Sequence, residues 1–91
     1  MGQGQKSRPG WRPTDRHPVS GIAWRWEHYA GWVVEHQGHP TAHHPYAAYT
    51  PKGALLLTGG REKGTAFRRL AAAQEACELE EHSRAVEELN G

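Results

Sequence analysis

The chain has 91 residues and a mass of 10.2 kDa, a size that allows one small domain with a shallow hydrophobic core. Hydrophobic residues make up 36% of the chain and charged residues 23%, which is polar but not the composition of a wholly disordered protein. The single cysteine excludes an intramolecular disulfide and a multi-cysteine zinc site. No apolar run approaches the roughly 18 residues of a membrane helix. A single cysteine fits a reducing compartment, so we expect a protein of the bacterial cytoplasm that makes no membrane contact.

The net charge of +1 conceals an uneven distribution along the chain. Residues 1–69 contain ten Lys and Arg against four Asp and Glu, whereas residues 70–91 contain one Arg against six Glu. A basic body with an acidic tail can attract a polyanion at one end and repel it at the other. Ordinary solvated surface followed by a Glu-rich helix would give the same distribution, and both interpretations remain open.

The first 19 residues are rich in Pro, Gly and basic side chains. Prolines at positions 9, 13 and 18 remove backbone donors and bias the residues before them away from helix. This composition predicts a flexible basic arm over residues 1–19, with Trp11 able to dock on the remainder, and a single sheet-and-helix domain over residues 20–91. The arm could follow phosphates or be a simple disordered terminus.

Strand patterns follow from residue 22. Residues 22–29 alternate, with Ile22, Trp24, Trp26 and His28 on one face, which indicates a half-buried strand. Ala30-Gly31 supplies a turn to a second strand over residues 32–36, so the two form an antiparallel hairpin. Residues 46–49 and 54–58 predict a third and a fourth strand. We expect the tryptophans of this hairpin to form core rather than a platform for stacking bases.

The apolar period changes to that of a helix at Thr65, a suitable N-cap for a helix over residues 65–89. The fold class predicted is therefore α+β, with a mainly antiparallel sheet of three to four strands followed by one long C-terminal helix. One helix face carries the apolar and small residues that should pack on the sheet, namely Phe67, Leu70, Ala73, Gln74 and Cys77. The distal half cannot continue that face, so it should overhang the sheet, break or meet a partner.

The distal helix is accordingly a predicted surface for a partner protein or for self-association as a homodimer. Its acidic residues would face a basic surface, and its apolar residues would support a second copy. The residues assigned to this surface are Glu78, Leu79, Glu80, Glu81, Val86 and Leu89.

Basic residues around the predicted start of the helix form a second candidate surface. A helix N-terminus presents free N–H groups that attract anions, so cations there would be offset by a phosphate or an acidic protein. Solubilising surface charge is the competing explanation. The predicted basic patch consists of Arg25, Lys52, Arg61, Lys63, Arg68 and Arg69.

Four histidines within nine residues raise the question of a metal. His36, His39, His43 and His44 could in principle supply zinc ligands, but no cysteine is near and Glu35 is the only local carboxylate. We expect no metal and no cofactor, and keep these residues as weak candidates. Cys77 falls on the packed helix face, and no nucleophile motif is present, so we expect no enzymatic activity.

The segment over residues 24–77 resembles small phage and prophage accessory proteins with a Trp-rich hairpin, a GHPTA-like loop and an FR-x-L helix. The residues that carry the resemblance are Gly31-Trp32-Val33-Val34, His36, Gly38-His39-Pro40-Thr41-Ala42, Pro45-Tyr46, Gly64, Phe67-Arg68, Leu70 and Ala73. The resemblance implies a protein that acts on host nucleic-acid machinery, as anti-CRISPR inhibitors do.

The order of sheet and helix is also similar to the three-stranded DNA-reading domains of integrase arms. Such a sheet reads DNA with an exposed face rich in Arg, Lys and Asn, whereas the outward face predicted here carries Glu27 and Glu35 beside Arg25. These carboxylates would meet phosphate repulsion, which disfavours sequence-specific duplex readout without excluding it.

These observations favour a non-enzymatic phage-type binding protein that inhibits or modulates a host nucleic-acid-processing complex. Its expected partner is a host protein or nucleoprotein complex. The first alternative is direct, weakly specific binding of nucleic acid by the basic patch and arm. The second alternative is a His-based zinc-binding protein.

Overall fold

A computed structural model describes residues 7–37, 45–56 and 67–90. Its five strands form one antiparallel sheet in which each strand pairs with the next along the chain, and one long helix follows. This arrangement confirms the predicted α+β class, with one strand more than predicted. None of the helices described is long and apolar enough to cross a membrane. The elements are β1 (Trp11–Arg16), β2 (Ala23–His28), β3 (Val33–His36), β4 (Tyr46–Tyr49), β5 (Leu55–Leu56) and α1 (Leu70–Asn90).

Strand β1 corrects the predicted boundary of the domain. The basic arm was predicted over residues 1–19, but Trp11–Arg16 pair with β2, so the sheet begins at Trp11 rather than after residue 19. Pro13 is compatible with this position because an edge strand directs half of its backbone groups away from the sheet. A register shift between Pro13 and Asp15 accommodates the extra residue Thr14. Residues 1–6 lie outside the part of the chain described.

Tight turns hold the central strands in register. His28 and Trp32 pair across the β2–β3 turn through a 2.8 Å hydrogen bond from the His28 amide to the Trp32 carbonyl. Gly31 has a φ of +101°, and a side chain there would also approach Pro51 closely. Glycine is therefore required at this turn for both reasons.

The alternation of β2 and β3 divides the sheet into two faces. Trp26 and Val34 are register partners, and both are buried on the face that α1 covers. Trp32 is also fully buried, which confirms the predicted hairpin core. The predicted position of Ile22 on this face is wrong: Ile22 precedes β2, accepts a hydrogen bond from the His17 amide, and is 53% exposed.

The remaining predictions for the sheet concern Trp24 and the third and fourth strands. Trp24, expected in the core, is only half-buried. The predicted fourth strand over residues 54–58 corresponds to β5 at Leu55–Leu56, and residues 57 and 58 lie outside the described part. The predicted third strand is confirmed as β4.

Helix α1 begins at Leu70, five residues later than the prediction of a cap at Thr65. The reason is Phe67, whose backbone exchanges two 3.1 Å hydrogen bonds with Tyr46 and is therefore extended at this point. The first helical bond runs from the Ala73 amide to the Arg69 carbonyl. Thr65 itself lies outside the described residues. The predicted packing face of the helix is confirmed for four buried residues, namely Leu70, Ala73, Gln74 and Cys77. Phe67 is buried as well, but it precedes the helix rather than lying on it.

Hydrogen bonds from two tryptophan indoles attach α1 to the sheet. The indole Nε1 of Trp11 donates to Glu78 Oε2 at 2.9 Å, and that of Trp32 donates to Glu81 Oε1 at 2.8 Å. Glu78 also forms a two-pronged ion pair with Arg8, with Nη2–Oε1 at 2.8 Å. Because Glu78 and Glu81 are three residues apart, they lie on one side of the helix and face the two indoles together.

The segment before β1 is held by the same helix. The amide of Arg8 donates to Gln74 Oε1 at 2.8 Å, and Gln74 Nε2 donates to Ser7 Oγ at 3.0 Å. Gln74 is fully buried, so these bonds satisfy a polar group inside the core. Residues 7–9 are thus anchored to α1, in contrast to the arm predicted there.

Replacing Glu78 should destabilise the fold because it leaves the Trp11 indole N–H and the Arg8 guanidinium without their acceptor. We expect Glu78→Ala to lower the free energy of unfolding by about 2 kcal/mol. The control Glu80→Ala loses only the exposed pair with Arg84 and should cost about 0.5 kcal/mol or less. Urea unfolding followed by tryptophan fluorescence measures both, and equal effects of the two substitutions would contradict this docking.

The same carboxylate should make stability depend on acid pH. Burial raises the pKa of Glu78, but hydrogen bonds from Arg8 and Trp11 outweigh it and hold the pKa below its ordinary value of 4.5. Its contribution is therefore complete above pH 4.5 and is lost as the pH falls through the lowered folded-state pKa. We expect Glu78→Gln to flatten the fall in unfolding free energy between about pH 5 and 3. A slope identical to that of the unsubstituted protein would contradict the assignment.

Candidate binding surface

The sheet face turned away from α1 carries a cluster of charged side chains. Register pairs place Arg25 beside Glu35 and Glu27 beside Val33 on this face, and Tyr49 beside Val33 on the next strand. These five residues define what we call the open face. Their alternation with buried Trp26 and Val34 confirms the outward face predicted from the sequence.

Arg25 lies at the centre of the open face and is held by three carboxylates. Its Nη1 is 2.7 Å from Glu27 Oε2 and 3.7 Å from Asp15 Oδ2, and its Nε is 3.4 Å from Glu35 Oε2. One neighbour comes from the same strand, one from β1 and one from β3. With all four groups ionised, the cluster has a net charge of −2.

A chain of hydrogen bonds extends this cluster across the sheet. Gln37 Nε2 donates to Glu35 Oε1 at 2.9 Å and to Tyr49 Oη at 2.7 Å. Glu35 is thereby bound from two sides, by a guanidinium and by an amide. The cluster is positioned by β1, β2, β3 and β4 together and does not depend on a loop.

The open face is concave at one end of the sheet. A depression of about 570 Å³ lies between the charged cluster and the β4–β5 turn, and Pro51 and Tyr49 form its apolar side. A depression with an acidic rim and an apolar wall matches a cationic side chain with an aliphatic stem, such as Arg or Lys. Phosphate groups would be repelled by the same carboxylates.

The four described members of the predicted basic patch do not form one surface. Arg25 is neutralised by its carboxylates, and Lys52 is exposed in the turn after β4. Arg68 and Arg69 are exposed at the opposite end of β4, because Phe67 pairs with Tyr46 where that strand starts. Arg61 and Lys63, the other two members, lie outside the described residues.

The distal-helix residues predicted for partner binding divide into two groups. Glu78 and Glu81 bind Arg8 and the two indoles, so they hold the fold together and are not free for a partner. Glu80 pairs with Arg84 at 3.3 Å. The apolar members are all exposed: Leu79, Val86 and Leu89. Residues 82–89 are exposed throughout, which agrees with the predicted overhang.

Of the four candidate zinc ligands, His36 is the one within the described residues. His36 is half-buried with its ring edge-on to Tyr46 at 5.0 Å, and burial lowers its pKa. No group of three or more potential metal ligands occurs among the described residues. His39, His43 and His44 lie outside them.

Cys77 is fully buried against the sheet, as predicted from its helix face. Burial raises the pKa of its thiol to about 12, so the reactive thiolate is scarce at neutral pH. The residue therefore acts as a small core side chain.

Sequence reasoning missed Asp15 and the role of Tyr49 on the open face. Asp15 was assigned to the arm, and only the pairing of β1 with β2 brings it to Arg25. The sequence does predict Glu27 and Glu35 on one face with Arg25, and the signal for an ion-pair cluster is that Glu27 lies two residues from Arg25 on the same strand while Glu35 lies on the adjacent strand.

Comparisons of the chain with protein-family models, with curated proteins and with solved structures gave no match.

Proposed function

We propose that this protein binds a basic surface of a partner protein through its open face and performs no catalysis itself. The observation that supports this proposal most directly is the Arg25 cluster, in which three carboxylates surround one guanidinium. The partner class that best fits the sequence resemblance is a phage host's nucleic-acid-processing complex. Surfaces of such complexes that contact phosphates are rich in Lys and Arg.

Charge complementarity supports this kind of partner. A sheet that reads nucleic acid needs unpaired cations on its exposed face, whereas Arg25 already has carboxylate partners. A partner's Arg or Lys entering the depression would meet Glu27 and Glu35 beside the apolar wall of Tyr49 and Pro51. Occupying a nucleic-acid-contacting surface in this way would inhibit the complex stoichiometrically.

Direct nucleic-acid binding is the competing function, and the experiment must distinguish it from binding of a basic protein surface. Nucleic-acid binding would depend on the exposed members of the basic patch, namely Lys52, Arg68 and Arg69, and on the arginines of the predicted arm, Arg12 and Arg16, which lie on the edge strand β1. Arg12 is the register partner of Glu27 and Arg16 follows Asp15, so a phosphate backbone that reached these two arginines would pass close to both carboxylates.

A fluorescein-labelled octa-arginine peptide serves as the basic probe, with a duplex of about 20 base pairs as the competing ligand. We expect saturable peptide binding at about 150 mM salt, and Glu27→Gln/Glu35→Gln to weaken it at least about tenfold. The control Glu80→Gln/Glu88→Gln makes the same change in charge on α1, and it should alter affinity less than about threefold. Fluorescence anisotropy measures each affinity, and circular dichroism checks folding.

Two results would overturn the proposal. One is duplex binding tighter than peptide binding at the same salt concentration, which would favour the nucleic-acid alternative. The other is an equal loss of peptide affinity in both double variants, which would show attraction by total negative charge alone.

NMR spectra locate the bound peptide. The backbone amide chemical shifts near Val33 and Tyr49 should change when the peptide is added.

A further inference from the structure

The side of α1 opposite the sheet carries an unpartnered stripe of apolar and small residues. Ala72, Leu79 and Val86 repeat every seven residues and are all exposed, and Ser83 lies between the last two on the same side. At 100° per residue these four positions fall within about 60° of one another, roughly opposite Leu70 and Cys77 of the packed face. We call this set the outer stripe.

The outer stripe has the composition of a close helix–helix contact. Ala72 and Ser83 are small, and Leu79 and Val86 are larger apolar residues that can pack into the spaces beside them. A seven-residue repeat keeps such a seam facing one partner helix. The sheet packs on the other side of α1, so it does not obstruct approach to the stripe.

Charges beside the stripe are opposite at its two ends. Arg68 and Arg69 are exposed at the N-terminal end of α1, and Glu87 is exposed near its C-terminal end. Parallel pairing of two such helices would bring like charges together, whereas antiparallel pairing brings opposite charges together. Antiparallel alignment also places opposite helix dipoles side by side.

We propose that a second copy of this chain binds the outer stripe, forming a homodimer in which the two α1 helices pack antiparallel. With the two-fold axis near residues 77 and 78, Leu79 packs beside Ala76 of the partner subunit and Ala72 beside Ser83 of the partner subunit. The same register places Arg69 next to Glu87 of the partner subunit on one flank of the seam. Glu75 lies next to His82 of the partner subunit on the other.

The described edge strand β1 leaves the helix as the favoured route to self-association. β1 carries Pro13 and charges of alternating sign along its edge. Proline and charge both protect a sheet edge against added strands. The contact between single helices of 21 residues is small, so we expect a dimer with a dissociation constant of about 10–100 µM.

Charge exchange between Arg69 and Glu87 tests the register directly. Arg69→Glu and Glu87→Arg should each raise the dimer dissociation constant at least about tenfold, because each dimer contains the pair twice. Combining both substitutions should restore it to within about threefold of the original value. Sedimentation equilibrium at low salt measures these constants.

Matched controls exclude general effects of charge. Lys52→Glu makes the same charge change as Arg69→Glu, but in the β4–β5 turn. Glu88→Arg makes the same charge change as Glu87→Arg, but on the side of the helix opposite the outer stripe. Neither should alter the constant by more than about threefold. Leu79→Glu should abolish dimerisation, whereas Leu89→Glu, outside the stripe, should leave it nearly unchanged.

A chain that stays monomeric up to about 500 µM overturns the proposal, as does a combined variant no better than the single ones. This inference is independent of the open face. Glu27→Gln/Glu35→Gln should dimerise normally, and Arg69→Glu should still bind the basic peptide.

Discussion

The fold depends on two carboxylates of the helix that accept hydrogen bonds from tryptophan indole N–H groups of the sheet. Glu78 binds Trp11 of β1, and Glu81 binds Trp32 beside β3, so one short stretch of α1 connects strands on both sides of β2. A small core gains much from this arrangement, because each tryptophan buries a large ring and still satisfies its polar atom. Arg84 adds to it by lying over the Trp32 ring at 5.1 Å.

Local patterns were sufficient to predict the hairpin and the helix face. Trp26 lies between two charged residues in an alternating strand, and Leu70 and Cys77 recur at helical spacing, so their burial followed from period alone. Strand β1 could not be predicted this way because it contains a proline and three charged residues and shows no apolar alternation. Its place depends on pairing with β2 and on Trp11 reaching the helix, both of which are contacts between residues distant in sequence.

The roles of the charged residues were even harder to predict from local sequence patterns. The glutamates of α1 suggested an acidic surface for a partner, yet Glu78 and Glu81 are used within the fold, and Arg25 is neutralised rather than available to phosphates. What a charge can do is determined by its nearest counter-charge, which the sequence shows only when both lie on one helix turn or on adjacent strands. Within the described part of the chain, the two surfaces we propose for binding are the acidic open face and the outer stripe, which lie on opposite sides of the molecule.

Hydrogen exchange of the tryptophan indole protons, followed by NMR, tests the central claim most directly. The account predicts that the Nε1 protons of Trp11 and Trp32 exchange only through global unfolding, with protection that matches the free energy from urea denaturation. In Glu78→Ala, the Trp11 indole proton should exchange faster than global unfolding of that variant allows. The Trp32 indole proton should still exchange only through global unfolding of the variant. Exchange of both protons at the rate of a free indole in the unsubstituted protein would contradict the docking of α1 through these carboxylates.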